Sequence, residues 1–100
     1  GLVYTSVSIE QRPGLDELAV ERVIEALRKT SEAEVAAVLK QADDGHWKVS
    51  LRSKTTIDVG SLAIQLGGGG HKFASGYSSS DNLELTISQL INELATKSAR

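Results

Sequence analysis

The sequence predicts an α/β (α+β) fold in which helices pack against one mixed β-sheet, in the order β-α-β-β-α-(β)-α. Three observations lead to this prediction. Some segments alternate apolar and polar residues, as half-buried strands do. Others repeat apolar residues every three or four positions, as amphipathic helices do, and turn residues separate the two kinds of segment. The chain has 100 residues, and we predict that residues 1–100 form a single domain.

The first half of the chain predicts a strand, a helix and a β-hairpin. Residues 2–10 alternate and are rich in β-branched side chains, so they predict a strand that ends before Pro13 and Gly14. A helical period then begins, with these residues inward: Leu15, Leu18, Ala19, Val23, Ile24 and Leu27. Its charged residues are predicted to face water: Glu17, Glu21, Arg22, Glu25 and Arg28. Residues 33–42 and 47–52 predict two strands joined through an Asp-Gly turn.

The second half predicts two more helices. Asp58 can cap a short helix whose apolar stripe is Val59, Leu62, Ala63 and Leu66, and Gly67 should end it. Residues 74–80 predict a turn of helix followed by a short strand. Asp81 or Asn82 should begin the last helix, with fraying in the final six residues. Its predicted inward residues are Leu83, Ile87, Leu90, Ile91 and Leu94.

Composition excludes several classes of function. The chain has no cysteine, which excludes disulfide scaffolds, Cys-based zinc sites and thiol nucleophiles. Its two histidines form no metal-ligand pattern with the acids, so we predict no metal site. The net charge of −2 argues against a broad basic surface for nucleic acid. No membrane-spanning segment or signal peptide is visible, so we expect a cytoplasmic domain, cut from a longer protein because no methionine begins it.

Four successive glycines form the segment that folding explains least. They carry a large entropy cost and add nothing to a core. Because glycine adopts either sign of φ, successive amides can converge into a nest for an oxyanion, and two side-chain donors follow at once. We therefore predict a phosphate-binding loop at Gly67, Gly68, Gly69, Gly70, His71 and Lys72. A flexible linker is the alternative, but apolar residues on both sides of the run disfavour it.

Arg52 is the second candidate residue. It lies at the end of a predicted strand, with Ser53 and Lys54 after it, and a guanidinium can hold phosphate through two parallel hydrogen bonds. A solvated cation at a strand end is the open alternative. Other phosphate motifs are excluded, because no Gly-Lys-Ser/Thr follows the glycines and Lys72 stands where a dinucleotide fingerprint needs glycine. No Gly-x-Ser-x-Gly elbow for a serine hydrolase is present either.

These two segments together resemble a known family. The glycine run with Ala74 and Gly76 resembles the signature of the C-terminal, DHH-associated domain of DHH phosphoesterases. Residues 50–54, followed by residues 57–59, are similar to the second motif of that domain, in the same order. The resemblance is nearest to the branch of oligoribonucleases (nanoRNases) and 3′-phosphoadenosine-5′-phosphate phosphatases. Ser75 stands where alanine is common.

The resemblance implies the substrate-binding half of a metal-dependent phosphoesterase. Its substrate would be a short RNA or a nucleoside bisphosphate, with His71 as the catalytic residue that stabilises developing charge. The implied substrate-binding residues are Arg52, Ser53, Gly68, Gly69, Gly70, His71 and Lys72. Manganese, or a similar metal, would belong to an N-terminal catalytic domain with an Asp-His-His triplet. This chain lacks that triplet, so it should hold no cofactor and hydrolyse nothing alone.

Alternatives remain open at this point. The chain could be a module that binds RNA or single strands without a role in hydrolysis, although its aromatic residues are few. It could also be a dimerisation module in which glycines permit close packing. Within the same family, a RecJ-like exonuclease or a cyclic-dinucleotide phosphodiesterase is an alternative function. The resemblance also leaves open a homodimeric parent protein.

Overall fold

The computed structural model describes residues 1–11, 16–30, 32–54 and 56–98. Among these residues the elements follow in the order β1 (Leu2–Val7), α1 (Glu17–Thr30), β2 (Val35–Gln41), β3 (Trp47–Ser53), α2 (Val59–Gln65), β4 (Gly69–Gly70), β5 (Ala74–Ser79) and α3 (Leu83–Ser98). A 3-10 turn at Ile9–Gln11 follows β1. None of the described helices is long and apolar enough to cross a membrane.

The strands form one mixed sheet in the order β1-β2-β3-β5-β4. β1 and β2 run parallel and are connected through α1, whereas every other neighbouring pair is antiparallel. The predicted fold class, a mixed sheet with helices packed against it, is confirmed. The order of the strands carries the glycine run to an edge of the sheet, because β4 pairs only with β5 among the described strands.

Helices cover the two faces of the sheet unequally. On one side, the α1 face, Val20 and Ile24 of α1 pack with Ala36 and Val38 of β2. The opposite side, the α2–α3 face, holds the larger core, whose fully buried residues include Leu39, Leu51, Leu62 and Leu90. Side chains alternate along β3, so its apolar residues enter that core while Lys48, Ser50 and Arg52 lie on the α1 face.

Each helix begins at a side-chain cap. Asp16, Asp58 and Asn82 each accept a hydrogen bond from the amide three residues further along, at 2.8 to 2.9 Å. Such a bond satisfies one of the amides that have no partner inside the helix. The predicted cap at Asp58 is confirmed, and Asn82 rather than Asp81 caps the last helix. Asp81 instead accepts a hydrogen bond from the side chain of Gln89 at 3.1 Å.

The prediction for residues 74–80 was correct in part. The predicted short strand is confirmed as β5 (Ala74–Ser79), which has a strand on either side, whereas the predicted turn of helix was wrong. Gly69–Gly70 forms β4, which the sequence did not predict. Small and polar residues have low intrinsic strand propensity, and pairing with neighbouring strands decides their conformation here. The first strand also ends earlier than predicted, at Val7.

Two predicted core residues lie at the surface. Leu18 is 60% exposed and Ile91 is 48% exposed, because the buried stripes pass through the neighbouring residues Val20 and Leu90. The helix α3 continues to Ser98, beyond the predicted start of fraying at residue 95, and the last two residues of that prediction lie outside the described residues. The prediction for Leu15 lies outside the described residues.

Candidate functional site

The first two glycines of the run end helix α2. Gly67 has a φ of +91°, in the region that favours glycine, and its amide donates to the carbonyl of Ile64 at 3.1 Å. The amide of Gly68 donates to the carbonyl of Ala63 at 2.8 Å. These bonds satisfy carbonyl groups at the helix end. The geometry therefore differs from the predicted nest, because two of its amides already serve the fold.

The next residues form a tight hairpin at the edge of the sheet. His71 and Ala74 exchange main-chain hydrogen bonds of 2.7 and 3.2 Å around a turn at residues 72–73. In an antiparallel ladder a hydrogen-bonded pair is followed by a pair that exchanges no bonds. The next pair in this ladder, Gly70 and Ser75, therefore exchanges no main-chain hydrogen bonds. The amide of Gly70 consequently faces the open edge of β4.

Main-chain bonds fix the turn against two other elements. The carbonyl of Lys72 accepts a hydrogen bond from the amide of Val59, the first residue of α2, at 2.9 Å. The carbonyl of Phe73 accepts one from the amide of Ser53, the last residue of β3, at 2.9 Å. The turn thus has a fixed position relative to the helix start and the strand end.

Two small residues allow these elements to approach one another. A Cβ atom on Gly60 would lie 2.8 Å from the carbonyl oxygen of His71, so a larger residue in α2 would push the turn away. Ser75 is buried, and its hydroxyl donates to the carbonyl of Val59 at 2.6 Å. The departure at Ser75 from the family pattern therefore adds a hydrogen bond between β5 and α2.

Arg52 and His71 are brought together across β5. Arg52 lies directly opposite Ala74 in the β3–β5 ladder, and Ala74 is paired with His71 on its other side. Paired residues on antiparallel strands project to the same face, so this register predicts that both side chains lie on the α1 face. Their Cα atoms are about 10 Å apart, which is two spacings between strands. The small side chain of Ala74 leaves room between them.

Arg52 is held by an acid from α1. Its side chain is 16% exposed, and its guanidinium forms an ion pair with the carboxylate of Glu21 and donates to the carbonyl of Leu51 at 2.8 Å. Glu21 is exposed, as predicted, but its ion pair with Arg52 was not predicted. Glu21 follows the buried residue Val20, at the border where α1 meets the sheet. An anion that binds Arg52 must share the guanidinium with Glu21 or displace it.

An open cleft adjoins Arg52 on the α1 face. Its lining combines cations, one acid and an aromatic ring: Glu25, Arg28, Arg52, Ser53, Lys54, Phe73 and Ala74. Arg28 forms an ion pair with Glu25 at 2.8 Å, and its hydrogen bond lowers the pKa of the Glu25 carboxyl below its usual value. Two of these cations, Arg28 and Arg52, are each paired with an acid, Glu25 and Glu21, so an anion that enters the cleft binds by sharing or displacing these ion pairs.

Two predicted substrate residues do not join this cluster through their side chains. Ser53 points toward the α2–α3 face and is 5% exposed, and its hydroxyl has no hydrogen-bond partner among the described residues. Consecutive strand residues point to opposite faces, so this separation from Arg52 could have been predicted. Lys72 lies in the exposed turn, with its ammonium nitrogen 5.6 Å from the centre of the Phe73 ring.

Beneath the glycine run, Tyr77 of β5 belongs to the core of the α2–α3 face. Burial raises the pKa of its phenol to about 12. Its hydroxyl has no hydrogen-bond partner within the described part of the chain. A Cβ atom on Gly68 would lie 2.5 Å from the Cβ of Tyr77, so the glycine lets this ring occupy the core.

The described residues offer no ligand set for a metal ion. No three His, Asp or Glu side chains among them lie close enough together to hold one. We therefore derive no chemical step through a metal from these residues.

Comparison with known proteins identifies relatives at the level of sequence. The family model for the DHHA1 domain matches residues 2–97. The chain is also 30% identical over 86 residues to the probable bifunctional oligoribonuclease and PAP phosphatase NrnA of Streptococcus mutans. That match covers 83% of the chain and 27% of the relative. The chain thus spans about a quarter of the length of this curated relative.

Three solved structures share the fold. An exopolyphosphatase-related protein from Bacteroides fragilis matches with a TM-score of 0.83 and 20% identity, over 95% of this chain and 28% of that one. The C-Ala domain of Aquifex aeolicus alanyl-tRNA synthetase matches with a TM-score of 0.71 and 12% identity, over 94% of this chain and 90% of that one. The pGpG-specific phosphodiesterase PggH of Vibrio cholerae matches with a TM-score of 0.63 and 11% identity, over 96% of this chain and 33% of that one. At these identities the structures support the fold alone.

Proposed function

This chain belongs to the DHHA1 domain family, and we propose that it is the substrate-binding domain of a DHH phosphoesterase. The proposed substrates are short oligoribonucleotides and 3′-phosphoadenosine-5′-phosphate. The similarity to a probable oligoribonuclease and PAP phosphatase of Streptococcus mutans supports this class of substrate. The catalytic domain would be the N-terminal DHH domain of the same protein, which would hold manganese or a similar metal.

The observation that carries this proposal is the pairing of Arg52 and His71 across Ala74. Residues 19 positions apart in the sequence present two donors to one face of the sheet, above a side chain too small to fill the space. The cations that line the adjoining cleft add to the positive charge there. A phosphate group matches this arrangement in size and charge.

In the proposed complex, the guanidinium of Arg52 grips two phosphate oxygens. The imidazole of His71 donates to the same group from the other side and, nearest the scissile bond, stabilises the charge that develops on its oxygens. The amide of Gly70, at the edge of β4, is placed to add a main-chain hydrogen bond. Gly68 then contributes by packing closely against β5, because its amide already donates to the carbonyl of Ala63 and cannot join a nest.

The proposal predicts a loss of affinity when Arg52 is truncated. We expect Arg52→Ala to weaken binding of 3′-phosphoadenosine-5′-phosphate by about 10-fold or more, because hydrogen bonds to charged groups contribute about 1.5–3 kcal/mol. Isothermal titration of the 100-residue chain measures this. The matched control is Lys97→Ala, since Lys97 contacts Ser61 on the α2–α3 side and should not affect binding.

The same titrations separate the proposal from its alternatives. Equal binding by Arg52→Ala and the unmodified chain would refute the phosphate site. Tight binding of long RNA with a steep salt dependence would instead favour a strand-binding module, since such binding neutralises many phosphates. We expect the 100-residue chain to bind without hydrolysing the ligand, because the described residues offer no metal site.

A further inference from the structure

Phe73 is the most exposed aromatic residue among the described residues. Its side chain is 53% exposed, compared with 44% for Tyr4, whereas Trp47 and Tyr77 are buried. Single exposed apolar residues are common on protein surfaces. The position of this ring, beside the proposed phosphate site, is what points to a ligand.

The backbone that carries the ring is fixed before any ligand arrives. The carbonyls of Lys72 and Phe73 accept hydrogen bonds from α2 and from the end of β3, both at 2.9 Å. A ring on such a turn has only two side-chain torsions left to restrict on binding. Phe73 is therefore preorganised to contact a flat group at little entropic cost.

Several cations lie around the ring, together with the acid Glu25. Phe73 lines the same cleft as Arg52, Arg28 and Lys54, and the ammonium of Lys72 lies 5.6 Å from its ring centre. An aromatic side chain beside cations is the arrangement by which proteins hold single nucleotides, with the base stacked on the ring and the phosphate on the cations. An aromatic residue that served only the core would be buried among apolar neighbours.

We propose that Phe73 is a stacking platform for the nucleobase whose phosphate binds at Arg52. This inference rests on the proposed function for the position of the phosphate, and it extends the site from phosphate to nucleotide. A purine or pyrimidine lies against the exposed part of the ring while its phosphate reaches over Ala74. The chain then selects nucleotides over phosphates that carry no base.

The test compares adenosine 5′-monophosphate with ribose 5-phosphate, which has the same sugar and phosphate but no base. We expect the 100-residue chain to bind the nucleotide about 5- to 100-fold more tightly, the range that stacking of one base on an aromatic ring provides. Phe73→Leu should reduce this preference to within about twofold, whereas Phe73→Tyr should retain it. Tyr4→Leu, which removes an exposed ring at the opposite edge of the sheet, should also retain it.

The outcomes are distinct from those for the phosphate site. Equal affinity of the unmodified chain for both ligands would overturn the inference, and so would a preference that survives in a folded Phe73→Leu chain. Arg52→Ala should lower the affinity for adenosine 5′-monophosphate and for ribose 5-phosphate by the same factor. If it weakens binding of neither ligand, the proposed function fails.

A second pair of ligands, adenosine 3′,5′-bisphosphate and a 5′-phosphorylated diadenylate, shows which substrate class supplies the base when their affinities for the unmodified chain and for Phe73→Leu are compared. Weaker binding of either ligand by Phe73→Leu than by the unmodified chain supports the inference, and unchanged affinity for both ligands contradicts it.

Discussion

In the proposed site, a phosphate competes with the carboxylate of Glu21 for the guanidinium of Arg52. The guanidinium is largely buried between α1 and the sheet, and Glu21 neutralises it there. Burying an unpaired cation would cost several kcal/mol, so an acid at this position stabilises the fold. The same acid repels an incoming phosphate. Glu21 therefore balances stability against affinity.

Removing this acid should increase the affinity for phosphate. We expect Glu21→Gln to tighten binding of 3′-phosphoadenosine-5′-phosphate by about 2- to 5-fold, because a partly exposed ion pair contributes up to about 1 kcal/mol. The variant should also unfold more easily, since Arg52 loses its partner. Titration with the ligand measures the first effect. Glu84→Gln on α3 is the control, and equal affinities in the two variants would contradict the role of Glu21.

The sequence could predict Arg52 but not its partner. Position and residue type singled out the guanidinium near the end of a strand. The charge of Glu21 looked the same as that of other acids on α1, because helical period alone does not show where the border of the helix meets the sheet. That border depends on how α1 lies across β2 and β3, which is a property of tertiary packing.

At the scale of elements, the four glycines serve different purposes. Gly67 and Gly70 have φ values of +91° and +144°, and a Cβ on Gly68 would lie 2.1 Å from the carbonyl oxygen of Gly76. Gly69 has no positive φ, and a Cβ there would meet nothing within 4 Å. The fold thus requires three of the four glycines and tolerates a side chain at the remaining position.

This difference predicts opposite effects of two alanine substitutions. Gly68→Ala should lower the free energy of unfolding by about 1–3 kcal/mol, the cost of forcing an extra group into packed structure. Gly69→Ala should raise it by about 0.4–1 kcal/mol, because alanine restricts the unfolded chain. Urea unfolding of both variants measures the two values. Equal destabilisation by both substitutions would contradict the assigned roles.

The elements were predicted well where periodicity was strong. The apolar stripe and cap of α2 were correct because Asp58, Val59 and Leu62 follow a helical pattern. The short strand predicted within residues 74–80 is present as β5, but its start at Ala74 was not predicted, because Ala74, Ser75 and Gly76 lack strand propensity and long-range pairing with β3 and β4 decides their conformation. No local pattern encodes such pairing.

At the scale of the whole molecule, the site forms where distant segments meet. The end of β3, the start of α2 and the hairpin turn are connected through main-chain hydrogen bonds. The overall net charge of −2 conceals the cationic cleft at this end of the α1 face. The sequence motifs therefore predict candidate site residues, while the fold places the side chain of Ser53 on the opposite face of the sheet from that of Arg52.

Mapping the amide resonances of the 100-residue chain during titration with 3′-phosphoadenosine-5′-phosphate tests the central claim most directly. We expect the largest changes at Arg52, Gly70, His71 and Ala74, and none at Ile64 or Ile91 on the outer surfaces of α2 and α3. Resonances that stay unchanged at millimolar ligand, or changes centred on Ile64 and Ile91, would contradict a phosphate site between Arg52 and His71.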